Sequence, residues 1–216
     1  MAEATRSVQL AGSTLQCSCH ACAFFYSKEE EYQVLLPFVK DGLDAGDKSF
    51  QIVSNETIEQ RVAQLRASGV DTTAAEENGS LEIRACEDAY LRGGRFDQQA
   101  MLALIEEILS SDKQQDVGLT RLWANMEWAL REMPGVHDLV EYESLLNNVL
   151  PKYDDVVVCT YDLTKFSASV VMDVLRTHPQ VIVGGIMREN PYYVPPDEFL
   201  RELRGRGVSA QRGRRE

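Results

Sequence analysis

The sequence predicts an α/β fold in which helices cover both faces of a mostly parallel sheet, giving the domain three layers. Three observations predict this class. Short apolar segments alternate along the chain with longer segments whose apolar residues recur at helical spacing. The short segments do not alternate apolar with polar residues, which is typical of parallel strands buried on both faces. The length of 216 residues and the hydrophobic share of 44% suit one globular domain.

Six short segments are predicted as strands of this sheet. They are runs bounded by polar residues or glycine, and the clearest is the β-branched run at residues 156–161. In chain order, the predicted strands are residues 21–26, 49–53, 81–85, 119–126, 156–161 and 181–183.

Six helices are predicted around these strands. Ser27, Asn55 and Asp97 stand just before helical patterns, where their side chains can accept hydrogen bonds from free backbone N–H groups. Gly46 and Gly69 are suited to end the first two helices. The helices are expected after Ser27, after Asn55, after Asp97, and over residues 136–150, 166–176 and 196–203.

The carboxyl ends of parallel strands meet along one edge of a sheet, and ligands of open α/β sheets bind at that edge. This rule by itself supplies a set of candidate site residues. They are Tyr26, Ser27, Ser54, Asn55, Cys86, Glu87, Glu127, Tyr161 and Asp162.

The first turn from strand to helix lacks the features of a phosphate-binding loop. Such a loop needs glycines, so that backbone N–H groups can surround the phosphates. The turn here has no glycine and carries Glu29, Glu30 and Glu31, which would repel a triphosphate. Lys28 is interpreted as a solvated lysine at the start of the helix. We therefore expect no ATP binding of this kind and favour a protein that is not an enzyme.

The segment 17–22 contains Cys17, Cys19, His20 and Cys22, the densest group of potential metal ligands. Zinc sites usually draw ligands from two separated pairs, and only one cluster is present. His20 and Cys22 are the candidate metal or reactive pair. A redox thiol and simple packing in the strand stay open for Cys22. Cys17 and Cys19 are predicted to lie in a mobile lead-in to the strand.

Two further groups have both a functional and a structural interpretation. Glu127 lies between Trp123 and Trp128, and it either receives a polar or cationic ligand or caps the next segment. The aromatic stretch 190–196 either covers the pocket or attaches the C-terminus to the domain.

Charge and hydropathy exclude several classes of protein. The net charge of −12 disfavours binding to nucleic acid or anionic lipid. No apolar run approaches the ~20 residues of a membrane span, and no signal peptide is recognised. An odd number of cysteines indicates reduced thiols, and we expect a cytoplasmic protein. The arginines after residue 200 form either a solvated tail or a short segment that binds an anionic partner.

Five segments, taken in order, resemble the DcmR-type sensory domain, also called the MEDS domain. The resemblance spans roughly residues 19–203, which leaves residues 1–18 and 204–216 as flexible tails. The segments are His20-Ala-Cys22-Ala-Phe-Phe-Tyr26, Leu36-Pro37-Phe38 with Gly42-Leu43, Cys159-Thr-Tyr161-Asp162, His178-Pro179 and Asn190-Pro191-Tyr192-Tyr193.

This resemblance implies a fold similar to the KaiC and RecA-like ATPases, with a degenerate phosphate (Walker A) loop. It also implies the sensing of small molecules, including one-carbon or halogenated hydrocarbon derivatives, for transcriptional regulators, histidine kinases or anti-sigma-type kinases. His20 and Cys22 match the family's histidine and cysteine, and Glu127 falls at the second acidic motif of RecA-like domains. Because the chain carries no helix-turn-helix or kinase domain, we expect it to signal through a partner protein or through self-association.

The sequence therefore predicts a sensory module that binds a small molecule or metal at the carboxyl edge of the sheet; it identifies no cofactor. His20 and Cys22 would be the reactive or ligating pair, and the other predicted site residues are Tyr26, Ser27, Glu127, Tyr161 and Asp162. Two alternatives stay open. One is a residual KaiC-like ATPase that needs Glu127, and the other is a ligand-free, anti-sigma-type interaction module.

Overall fold

The computed structural model describes residues 7–15, 18–114 and 118–212. The strands are β1 Val8–Leu10, β2 Ser13–Leu15, β3 Cys19–Phe25, β4 Lys48–Val53, β5 Leu81–Ala85, β6 Thr120–Asn125, β7 Val156–Asp162, β8 Gln180–Val183 and β9 Ile186–Glu189. The helices are α1 Lys28–Asp44, α2 Ile58–Ala67, α3 Thr72–Glu77, α4 Gln98–Gln114, α5 Leu139–Leu146, α6 Ala168–Thr177 and α7 Pro196–Arg212.

Seven of these strands form one sheet in the order β5-β4-β6-β7-β3-β8-β9, and β1 pairs with β2 as a separate hairpin. Every neighbouring pair in the large sheet is parallel except β8 and β9. Helices cover both faces, so the predicted α/β class with a mostly parallel sheet is confirmed.

A separate hydrophobic core lies on each face of the sheet. One core is built with residues of α4, α5 and α6, and the other with residues of α1, α2, α3 and the β1–β2 hairpin. The inner strands β3 and β6 are buried along their full length. The mostly apolar sequence of β3 predicts this, whereas β6 also buries the polar Thr120, Arg121 and Asn125. No helix in the described part of the chain is long and apolar enough to cross a membrane.

Strand β3 is an inner strand of the sheet, next to the middle strand β7. It runs between β7 and β8, and Cys22 of β3 lies opposite Cys159 of β7. Because successive side chains of a strand point to opposite faces, His20, Cys22 and Phe24 share one face. That face is the one covered by α5 and α6, where Cys22 and Phe24 belong to the core.

The structure differs from the sequence prediction mainly in its short elements. The prediction missed α3, β9 and the β1–β2 hairpin, which are too short to show a clear period. The hairpin falls within residues expected to be a tail, yet Val8 and Leu10 are buried against the α1 side of the sheet. Likewise, α7 continues to Arg212, beyond the predicted boundary at residue 203.

The helix predicted at 136–150 is shorter than expected. Only Leu139–Leu146 is α-helical, and single 3₁₀ turns precede and follow it. Gly135, at φ +86°, sets the turn before it. Pro151, which has no N–H to donate, lies in the 3₁₀ turn that follows the helix.

Candidate functional site

Four ionisable side chains meet in the core between the sheet and helices α5 and α6. They are His20 of β3, Glu143 of α5, Cys159 of β7, and His178, which follows α6 directly. All four are buried, and one nitrogen, oxygen or sulfur atom from each lies within 4.8 Å of the other three. We call these four residues the buried cluster.

Glu143 is at the centre of the buried cluster. Its Oε2 atom lies 3.3 Å from Nε2 of His20, 3.4 Å from Nε2 of His178 and 3.7 Å from Sγ of Cys159. The Cys159 sulfur is also 3.7 Å from Nε2 of His20. One carboxylate oxygen, two imidazole nitrogens and one sulfur therefore face a common point.

Hydrogen bonds from outside the cluster hold Glu143 and the two histidines. The Tyr161 hydroxyl donates to Oε1 of Glu143 at 2.6 Å. Nδ1 of His20 lies 3.0 Å from Oδ1 of Asn147, and Nδ1 of His178 lies 2.8 Å from the Val174 carbonyl. In all three groups, the atom that makes the outer hydrogen bond is the one that faces away from the common point.

Burial and mutual charge shift the titration of the cluster. Burial, together with the nearby His178, lowers the pKa of His20 below its ordinary value. Burial alone would raise the pKa of Glu143, but the adjacent His178 and His20 lower it well below its ordinary value. Burial and the Glu143 carboxylate raise the pKa of the Cys159 thiol. At neutral pH the carboxylate is thus ionised within an apolar core.

Sequence reasoning found one member of the buried cluster and missed the role of the others. Cys159 and His178 lie in two segments of the family resemblance, which gives neither of them a role in the site. Glu143 was not singled out, although it lies between the core residues Tyr142 and Leu146 in a predicted helix. A carboxylate within the apolar pattern of a helix was the available signal.

Cys22 is not one of the four residues, although it lies on the same face as His20. It is completely buried, and its sulfur is 3.8 Å from the Gln180 carbonyl. Burial raises the pKa of its thiol well above the ordinary value. Cys19 is buried in β3 and was wrongly expected to be mobile. Cys17 lies outside the described residues.

The predicted ligand edge is occupied by the protein's own ion pairs. Lys28 Nζ lies 2.8 Å from Oε2 of Glu31 and 2.9 Å from Oε1 of Glu127. On the other side, Lys165 is 2.5 Å from Glu127 and 3.3 Å from Asp162. The cavity between these strand ends is only about 10 Å³, room for about one water. Lys28 is therefore a paired residue, and its interpretation as a solvated lysine was wrong.

The remaining predicted site residues fall in different places. Ser27 caps α1 by accepting a hydrogen bond from the Glu30 N–H. Tyr26 is 68% exposed. Asp162 accepts hydrogen bonds from Thr164, whereas its neighbour Tyr161 is buried and points to Glu143. Ser27 and Asp162 both line the small cavity at the strand ends. The Tyr161 side chain points into the core instead, because adjacent side chains of a strand point to opposite faces, so the predicted residues do not all form one site.

Replacing Glu127 with glutamine should cost about 1 kcal/mol of stability at pH 7, the scale of a partly exposed ion pair. Burial would raise the pKa of Glu127, but hydrogen bonds from Lys165 and Lys28 lower it overall. The ion pairs of Glu127 therefore contribute their full stabilisation above the ordinary carboxyl pKa of about 4.3. This stabilisation is lost as the pH falls through the lower pKa that Glu127 has in the folded protein.

Urea denaturation of wild type and Glu127→Gln from pH 3 to pH 7 measures this difference. The exposed Glu132→Gln variant is the control and should show no such pH dependence. If the wild type hydrolysed ATP with magnesium and Glu127→Gln abolished that activity, the ATPase alternative would be favoured.

Comparisons with known proteins agree with this architecture. The profile of the family described as "MEDS: MEthanogen/methylotroph, DcmR Sensory domain" matches residues 19–179. The transcriptional repressor DcmR of Methylorubrum extorquens is 26% identical over 171 residues, which are 79% of this chain. The chain spans 62% of the length of that repressor.

Two solved structures from the archaeon Pyrococcus horikoshii share the fold. A KaiC-like protein of strain OT3 aligns with a TM-score of 0.55 at 13% identity, over 81% of this chain and 72% of that one. An uncharacterised protein in complex with an unknown peptide aligns with a TM-score of 0.61 at 14% identity, over 79% and 78% of the two chains. The buried cluster lies within the matched range 19–179. The chain belongs to the MEDS family of sensory domains, and its fold is KaiC-like.

Proposed function

We propose that this chain is a sensory module and that the buried cluster is the site that receives the signal. One observation carries the proposal: a carboxyl group, two imidazoles and a thiol are gathered in the core, with one ligand atom of each within 4.8 Å of the others. The ligand is a metal ion or a small polar molecule that interacts with these groups.

The energetic cost of such a cluster supports a function for it. Moving a carboxylate out of water into a protein interior costs several kcal/mol, and pairing with neighbours offsets only part of this. An apolar set of similar volume would pack α5 and α6 on the sheet without that cost. Groups with strongly perturbed titration that converge on one point are frequent at functional sites.

A hydrogen-bonded connection leads from the buried cluster to the C-terminal part of the chain. The amide of Asn190 donates to the backbone carbonyls of His178 and Leu175, and its oxygen accepts from the Tyr192 N–H. The segment 190–193 leads into α7, which packs against both α5 and α6. A ligand that moved His178 or Glu143 would therefore alter the packing of α7.

The output of the module is proposed to be a protein partner. The related DcmR is a transcriptional repressor, which makes a transcription regulator, a histidine kinase or an anti-sigma-type protein a fitting recipient of the signal. Self-association is a further route. We place the module in the cytoplasm, where the buried thiols of Cys19, Cys22, Cys86 and Cys159 would stay reduced.

A nucleotide enzyme is less favoured by the geometry. In the KaiC-like fold a phosphate loop would occupy the first strand-to-helix turn, here residues 26–28. Lys28 is bound there by Glu31 and Glu127, so the cation that would neutralise phosphate is already paired. Three glutamates in the first turn of α1 add negative charge.

Native mass spectrometry of the full chain tests the proposal. The protein is purified under reducing conditions, and its native mass is compared with its denatured mass. We expect an added mass that denaturation removes. We also expect that Glu143→Gln, which keeps the shape but removes the charge, abolishes the addition, whereas Glu141→Gln on the same helix retains it.

Two results would contradict the proposal. One is a bare polypeptide mass for wild type in every preparation from cells. The other is an added mass that Glu143→Gln leaves unchanged, because the ligand would then be bound elsewhere.

A further inference from the structure

We infer that the buried cluster is a tetrahedral site for a divalent transition-metal ion of the zinc type. The ligand atoms are Nε2 of His20, Nε2 of His178, Oε2 of Glu143 and Sγ of Cys159. The inference rests on the proposed function, because it names the chemical class of ligand for the same site.

Four of the six distances between these atoms are close to those of a tetrahedral coordination shell, and the other two are within 4.8 Å. Zinc bonds of about 2.05 Å to nitrogen or oxygen and about 2.3 Å to sulfur place two light ligand atoms about 3.3 Å apart, and sulfur about 3.6 Å from either. Oε2 of Glu143 is 3.3 and 3.4 Å from the two imidazole nitrogens. Sγ of Cys159 is 3.7 Å from Oε2 of Glu143 and 3.7 Å from Nε2 of His20. An ion at the common point would therefore meet Glu143 at the observed separations, and His178 and Cys159 would move closer together only if their distance exceeds the tetrahedral value.

The outer hydrogen bonds fix which nitrogen of His178 carries the proton. Nδ1 lies 2.8 Å from the Val174 carbonyl, and a carbonyl can only accept. Nδ1 is therefore the protonated atom of the neutral ring, and Nε2 presents a lone pair to the cluster.

The same argument applies to His20 through Asn147. The amide nitrogen of Asn147 donates to the carbonyls of Glu143, Ser144 and Thr177. Its oxygen must then be the atom that faces His20, so it accepts the Nδ1 proton. In the neutral ring Nε2 again presents a lone pair to the cluster.

The Nε2 lone pairs of His20 and His178 both face Oε2 of Glu143, which is also a hydrogen-bond acceptor. Nε2 of His178 is buried and has no hydrogen-bond partner within the described residues. Oε2 of Glu143, a carboxylate oxygen, can only accept. Two imidazole lone pairs repel a carboxylate oxygen beside them unless a proton or a metal ion lies between the rings and the oxygen. A metal ion at the common point satisfies all of these groups.

The donor set selects the type of metal. Imidazole and thiolate ligands suit zinc and related transition ions, whereas magnesium and calcium prefer shells made of oxygen. A dication with one carboxylate and one thiolate gives a site without net charge, which suits a buried position. Binding releases the thiol proton of Cys159. The hydrogen bonds of Asn147, Val174 and Tyr161 supply the outer shell that orients metal ligands in proteins.

Metal titration of the full chain tests the inference. Chelator-treated protein is titrated with Zn²⁺ in competition with a chromophoric chelator, and separately with Co²⁺ while the absorption spectrum is recorded. We expect one equivalent of metal per chain. The cobalt form should show the strong visible bands of tetrahedral Co²⁺ and a near-ultraviolet band from thiolate to metal.

Cys159 and Cys22 provide a matched pair of variants, because both are buried and they lie opposite each other on adjacent strands. Cys159→Ala should abolish the thiolate band and weaken zinc binding at least about 100-fold. Cys22→Ala should change neither. Asn147→Ala should weaken binding about 10-fold and keep the thiolate band. The exposed His137→Ala variant should bind like wild type.

Circular dichroism and thermal melting verify that each variant is folded. If Cys159→Ala does not fold, Cys159→Ser takes its place, because the hydroxyl keeps most of the volume and also lacks the thiolate band. A thiolate band that survives either substitution overturns the assignment of Cys159. Zinc affinity unchanged in His178→Ala overturns the assignment of the site.

The test separates this inference from the proposed function. If wild type binds neither Zn²⁺ nor Co²⁺, but native mass spectrometry shows an organic ligand that Glu143→Gln removes, then the metal inference fails and the sensory site stands. If neither a metal nor any other ligand is found, both fail.

Discussion

Replacing Glu143 with alanine should lower the free energy of unfolding by about 3–5 kcal/mol, the range for breaking a buried ionic network by removing one partner. The carboxylate accepts the Tyr161 hydroxyl and lies beside both imidazoles of the buried cluster. Its loss leaves the Tyr161 hydroxyl without its acceptor in an apolar core and opens a space beneath α5. Urea denaturation in the presence of a chelator measures the loss without a contribution from bound metal.

Glu141→Ala is the matched control for this prediction. It removes the same side chain from the same helix at a position that is not buried, so we expect a change within about 0.5 kcal/mol. If Glu143→Ala cost no more than Glu141→Ala, the carboxylate would not be the centre of the network.

Replacing Asp47 with alanine should also cost about 3–5 kcal/mol, because it leaves a buried guanidinium without its counterion. Asp47 is 1% exposed and Arg121 is 4% exposed. Nε of Arg121 donates to Oδ2 of Asp47 at 2.8 Å, and a terminal nitrogen of Arg121 is also 2.8 Å from that oxygen. Arginine cannot become neutral by losing a proton, so the charge would stay in the core.

A nearby aspartate serves as the control for this second variant. Asp44 is exposed and pairs with Lys40 at the end of α1. Asp44→Ala should change the free energy of unfolding by less than about 1 kcal/mol, as exposed ion pairs do. Equal losses in the two variants would show that the Asp47–Arg121 pair is not effectively desolvated.

The two variants separate the stability of the scaffold from the function of the site. The Asp47–Arg121 pair joins β6 to the loop after α1, and Arg121 also donates to the Phe38 carbonyl within α1. The pair contacts none of the four cluster residues. Asp47→Ala should therefore weaken the fold and leave zinc binding per folded molecule unchanged. Glu143→Ala should impair both.

The local pattern of the sequence predicted most of the central sheet because buried parallel strands have a strong composition signal. Strand 81–85 has the predicted bounds, and β6 and β7 differ from prediction by one or two residues. Ser27 caps the first helix as predicted, because an N-cap depends only on neighbours within a few residues. β9, by contrast, has only Met187 buried, and such a short edge strand has little pattern to detect.

The sequence by itself determined the α/β class and, to within two residues, the position of β3, because these depend on local composition and period. The tertiary structure decided the site. His20 and Cys159 are 139 positions apart, and strand register and the rotation of α5 bring them to Glu143. It also decided that Cys159, and not its neighbour across the sheet Cys22, faces the carboxylate. The pairing of strands that are far apart in the chain and the rotation of α5 on the sheet come from packing across the whole core, which the pattern of any one segment does not specify.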